Sequence, residues 1–84
     1  MQKTYTITNI TGIHARPARK IVEAAVRYPC DIYLTKKGIK FNAKSLVAMI
    51  SIGAKFEDQI IVAAEGEHAE LAIEEIGMIL TSKH

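Results

Sequence analysis

A chain of 84 residues, 49% apolar and 24% charged, is long enough to bury one hydrophobic core and too short for two, so a single domain spanning residues 1–84 is expected. Its net charge of +2 falls far short of the dense basic field of a general nucleic-acid binder, and no apolar run is longer than Leu46–Ile50, which excludes membrane insertion. The lone cysteine, Cys30, leaves no internal disulfide to form, and without an apolar export signal at the N-terminus a cytoplasmic setting is expected.

In chain order, Thr4–Thr8 alternates Tyr5 and Ile7 with three threonines, the pattern of a half-buried strand. After the loop "NITG", Ala18, Ile21, Val22, Ala25 and Val26 recur at three and four, opposite Arg19, Lys20, Glu23 and Arg27. Pro17 falls in the first turn of this predicted helix, where a missing N–H is harmless, and Pro29 closes it. Ile32 and Leu34 then alternate with Tyr33 and Thr35, and Ile39–Ala43 alternates again after Lys37-Gly38, which reads as a hairpin even though Lys is a poor first turn residue.

Ser45 heads the run "LVAMISI" and Gly53 ends it, so the caps favour a two-turn helix. Ile60, Val62 and Ala64 alternate with the equally apolar Ile61 and Ala63, predicting a strand buried on both faces or nearly so. From Ala69, the residues Ala72, Ile73, Ile76, Ile79 and Leu80 trace a second helical stripe, with Gly77 placed inside it for close packing. The order β-α-β-β-α-β-α predicts an α+β fold in which helices cover one face of a mostly antiparallel sheet.

The segment "TGIHARPARK", Thr11–Lys20, carries the chemistry. It sets His14 before a helix start and loads the first turns with Arg16, Arg19 and Lys20, where the macrodipole already leaves partial positive charge. An anion is therefore missing, and free N–H groups at a helix start collect phosphate. An imidazole nitrogen can also hold a phosphoryl group covalently, and the Arg16 fork can grip two of its oxygens. No carboxylate in the segment could activate a water, which argues against a self-contained hydrolase. The plainer alternative is a polar loop histidine beside a solvated basic face, with Glu23 pairing Arg19 and Arg27.

"GIHARPA", Gly12–Ala18, resembles the active-site segment of the histidine-containing phosphocarrier HPr family of the bacterial phosphoenolpyruvate:sugar phosphotransferase system, and "KSLVAMISIGA", Lys44–Ala54, resembles its second motif around a regulatory serine. The likeness runs through the whole chain. It implies an open-faced β-sandwich, a four-stranded antiparallel sheet with three helices on one face. It also implies a phosphocarrier rather than an enzyme, with His14 taking the phosphoryl group on Nδ1 from enzyme I and passing it to IIA domains of sugar permeases. Arg16 would steady the phosphate and Pro17 would fix the helix start.

Ser45 would match the serine modified by HPr kinase/phosphorylase, a route to transcriptional regulators, although a serine at a helix head is by itself an ordinary N-cap. Leu46, Val47 and Ile50 cannot all be buried by so short a helix, and the resemblance makes them a docking patch beside His14. Arg19 and Lys20 stand where the family commonly has a small residue and then a variable one, so the partner surface formed by Arg16, Pro17, Arg19, Lys20, Leu46, Val47 and Ile50 is more basic here. A monomer with no cofactor is expected.

His68 and His84 share no ligand spacing with each other or with Cys30, so no metal site is expected, and Cys30 is read as filler near a strand start. Glu65, Glu67, Glu70, Glu74 and Glu75 are read as a solvated acidic side of the last helix. Two other functions compete with the carrier: a binding module switched at Ser45, and an RNA or anion binder using Arg16, Arg19 and Lys20, which lacks an aromatic platform.

Overall fold

A computed structural model describes residues 1–82. Seven elements follow in the predicted order: β1 (Gln2–Thr6), α1 (Ala15–Val26), β2 (Asp31–Lys36), β3 (Ile39–Asn42), α2 (Leu46–Ser51), β4 (Gln59–Glu65) and α3 (Ala69–Thr81). Periodicity gives these elements but not their pairing. The sheet order is β1-β4-β2-β3, antiparallel throughout, with Tyr5 opposite Ile60 and Leu34 opposite Val62.

Helices cover one face only, because only one face is fully apolar. Ile32, Leu34, Ile60, Val62 and Ala64 are buried beneath Ile21 and Ala25 of α1, Met49 of α2 and Ile76 of α3. The fold is thus an open-faced β-sandwich. Ile61 and Ala63 lie on the uncovered face and are only half-buried, so β4 is not the doubly buried strand that its composition predicts. Their apolar character is shielded instead by neighbours such as Tyr33 and Thr35 on the adjoining strand.

Other boundaries move for local reasons. β1 begins two residues earlier than the alternation predicts, and Ile7 is buried beyond its end, in a loop where its N–H donates to the Asp58 carbonyl at 2.9 Å. α1 stops at Val26, before Pro29, with Arg27 as C-cap. Its inward stripe holds Ala24 rather than Val26, which is exposed. Arg27 pairs with Glu75 across to α3 rather than with Glu23, and the Tyr28 hydroxyl donates to the same carboxylate at 2.6 Å. That bond, together with burial, holds the Tyr28 phenol above its ordinary pKa. Glu75 is therefore a helix-to-helix tie rather than part of a solvated acidic face.

The β2–β3 turn places Lys37 and Gly38 at φ 50° and 81°, the left-handed pair that a two-residue hairpin requires. Gly77 admits the ring of Tyr5, which a Cβ would overlap, and the Tyr5 hydroxyl donates to the Ile73 carbonyl at 3.4 Å. Cys30 is buried, packed against Gly66 just before β2. His68 is the N-cap residue of α3, and His84 lies outside the described residues. Among the described residues no helix is long and apolar enough to cross a membrane.

Candidate functional site

The site is built on a loop pinned at both ends. Asn9, the one buried polar residue among those described, is 4% exposed, and its Oδ1 accepts from the Thr11 N–H at 3.1 Å and the Thr11 hydroxyl at 2.9 Å. Gly12 donates to the Asn9 carbonyl at 2.9 Å and turns the chain at φ +69°. Its Cα lies so close to the Ala54 carbonyl that no Cβ would fit. Ile13 then donates to that carbonyl at 2.9 Å and buries its side chain. This places His14 at a fixed point of the surface.

His14 is the N-cap residue of α1, extended at φ −121° and ψ −166°, and its exposed ring makes no capping bond. Its carbonyl accepts the first helical bond, from the Ala18 N–H at 3.0 Å. The N–H groups of Ala15 and Arg16 precede that bond and have no carbonyl one turn back. Pro17, third in the helix, has no N–H to leave unpaired, and its buried ring fixes the first turn. Among the described residues the imidazole is unengaged and the two backbone donors are free, with no acidic residue in the first turn.

A cleft of about 210 Å³ opens beside the ring. Asn9 and Thr11 line it from the loop, Arg16, Pro17 and Lys20 from α1, and Ile79 from α3. Arg19, on the next position of the helix, is exposed but does not line it. Among the described residues neither Arg16, Arg19 nor Lys20 has a carboxylate within ion-pair reach, so the pairing of Arg19 with Glu23 is not formed.

α2 flanks this region. Its trailing residue Ala54 holds the His14 loop, whereas Ser45 caps the far end, one helix length away, with the Ala48 N–H donating to Ser45 Oγ at 3.2 Å. Six residues at about 1.5 Å each separate the two ends by roughly 9 Å. Met49 is buried beneath α2, and Leu46, Val47 and Ile50 are 39%, 75% and 49% exposed. The structure therefore brings His14, Arg16, Pro17 and Lys20 to one cleft, whereas Ser45, Leu46, Val47 and Ile50 belong to α2 and its cap and do not line it.

Sequence reasoning missed Asn9 and Ala54. Asn9 had a local signal, since an Asn two residues before a Thr is a ready Asx turn. Ala54 had none, because it acts through its carbonyl and meets the loop only in the folded chain.

Comparison with known proteins places the chain. The family described as the PTS HPr component phosphorylation site matches residues 1–82. The phosphocarrier protein HPr of Buchnera aphidicola subsp. Schizaphis graminum is 36% identical over 80 residues, covering 95% of this chain and 94% of that relative. Among solved structures, the phosphocarrier protein HPr from Bacillus anthracis str. Ames aligns with a TM-score of 0.91 at 32% identity over 96% of each chain. HPr-C-His from Thermoanaerobacter tengcongensis aligns with a TM-score of 0.89 at 34% identity, over 95% of this chain and 90% of that one.

Proposed function

Because this chain belongs to the HPr family, phosphocarrier proteins of the phosphotransferase system, we propose that the phosphoryl group it carries rides on Nδ1 of His14. The chain is a carrier and not an enzyme. In the forward step the Nδ1 lone pair attacks phosphorus, the bond from phosphorus to the donor breaks, and its electron pair stays on the donor. Transfer onward repeats this with His14 as the leaving group, so the site must hold the group without trapping it.

The observation that carries this reading is the exposed His14 ring at the head of α1, unbonded among the described residues. The free N–H groups of Ala15 and Arg16 and the Arg16 guanidinium meet the charge of the arriving group from one side. The His14 ring is exposed among the described residues, which leaves room for the in-line approach of a partner's reacting atom. Enzyme I is the donor and IIA domains are the acceptors in this reading, docking on Leu46, Val47 and Ile50 with Arg16, Pro17, Arg19 and Lys20 at the rim. The carrier acts as a cytoplasmic monomer, and phosphorylation of Ser45 by HPr kinase/phosphorylase adds charge to the docking face and tunes contact with regulators.

Incubation with phosphoenolpyruvate and enzyme I tests the reading. Acid-labile phosphate is expected on the wild type and absent from His14→Ala, and Arg16→Ala is expected to slow transfer about a hundredfold, as for loss of one charge-stabilising donor. A wild type that stays unlabelled, or label that survives in His14→Ala, would overturn it.

A further inference from the structure

We propose that Lys20 is a second cationic ligand of the phosphoryl group on His14, reaching it through the cleft. The inference rests on His14 being the carrier residue. Arg16 and Lys20 are one turn apart on the same face of α1, so their side chains are neighbours. Helical side chains tilt toward the N-terminus, so the Lys20 stem leans back over Arg16 toward His14 rather than away from it. Lys20 lines the same cleft as His14, and no acidic group among the described residues engages it.

The opposite wall supplies a second observation. Asn9 is buried, and both donors of Thr11 fix its Oδ1, since only the oxygen of the amide can accept them. Its Nδ2 is thereby turned away from Thr11 and has no acceptor among the described residues, although Asn9 lines the cleft. An amide donor at the cleft wall and an ammonium across from it, both without partners among the described residues, form a pocket for phosphoryl oxygens beside the phosphoryl acceptor. Two like charges one turn apart near a helix start oppose helix stability, an arrangement that a bound dianion relieves.

Among the described residues the charged or titratable groups around that anion are the His14 ring, Arg16 and Lys20, with Arg19 one position round the helix and outside the cleft. A cation near the phosphoryl group favours its dianion, so removing the cation raises the pH at which the second phosphoryl proton leaves. The experiment phosphorylates the full chain with phosphoramidate, a small donor that needs no partner, and follows the phosphohistidine resonance by 31P NMR against pH at low salt. In Lys20→Met the midpoint is expected to rise by roughly 0.3–0.5 pH unit, as for loss of a unit charge about 6 Å away in water-like surroundings. Lys20→Arg is expected to stay near the wild type, and Arg19→Met, which loses the same charge outside the cleft, is expected to shift by less than half as much. A Lys20→Met midpoint no higher than that of Arg19→Met would overturn the assignment of Lys20 and leave His14 in place. Failure of the wild type to give the resonance, or its persistence in His14→Ala, would remove both.

Discussion

At Gly12 the chain does two things that no residue with a Cβ can do together. It adopts φ +69°, and it presses against the Ala54 carbonyl. Gly12→Ala is therefore expected to lower unfolding free energy by roughly 1–3 kcal/mol in a denaturant titration. It is also expected to slow phosphorylation of His14, because the displaced loop carries the ring. Single residues were the part of the site most legible in the sequence. His14, Arg16 and Pro17 lie within four positions of one another, so their meeting at one cleft was legible from order alone. Asn9 was harder, because its value lies in being buried, and burial depends on the segment that closes over it.

α2 shows how an element can be legible at its ends and less so in its middle. Ser45 and Gly53 mark its limits in the sequence, and the structure uses both, with Ser45 capping Ala48 and Gly53 turning at φ +62°. The cap and the proposed modification make different demands on position 45. Ser45→Ala is expected to cost about 1 kcal/mol of stability by thermal or denaturant melting, whereas Ser45→Asn keeps an accepting oxygen and is expected to stay near the wild type. Both would abolish phosphorylation there, so a stability loss confined to Ser45→Ala separates the two roles. Which of the apolar residues of α2 face outward could not be fixed from their run alone; Met49 fills the core because α1 and β3 close on that side. Likewise, the stripe of α1 reads with Val26 inward, whereas the folded helix buries Ala24 and leaves Val26 exposed.

Across the whole molecule, the element order was legible and the strand order was not, since insertion of β4 between β1 and β2 is a matter of long-range pairing that no local pattern encodes. The same distance hid Asp58. Its Oδ2 accepts from the Lys55 N–H at 2.8 Å and lies 3.3 Å from Lys36 Nζ, joining the turn before β4 to the end of β2. The Lys55 N–H first, and Lys36 after it, hold the Asp58 carboxyl below its ordinary value of 3.8. A lowered folded pKa means that the ionised form supports the fold, fully so above the ordinary value and decreasingly as pH falls through the lowered one. The wild type is expected to exceed Asp58→Asn in stability near neutrality, with the gap closing below about pH 4 in melts recorded as a function of pH.

The segment after α2 is also stitched to the first loop: Ile7 donates to the Asp58 carbonyl, Glu57 to the Ile7 carbonyl, and Ile13 to the Ala54 carbonyl, each at 2.9 Å. Neither strip can swing out without breaking that seam. In the proposed role a visiting protein would consequently meet a finished landing place instead of waiting for one to assemble, and the speed of their meeting would be governed by diffusion and correct facing, as between two preshaped bodies.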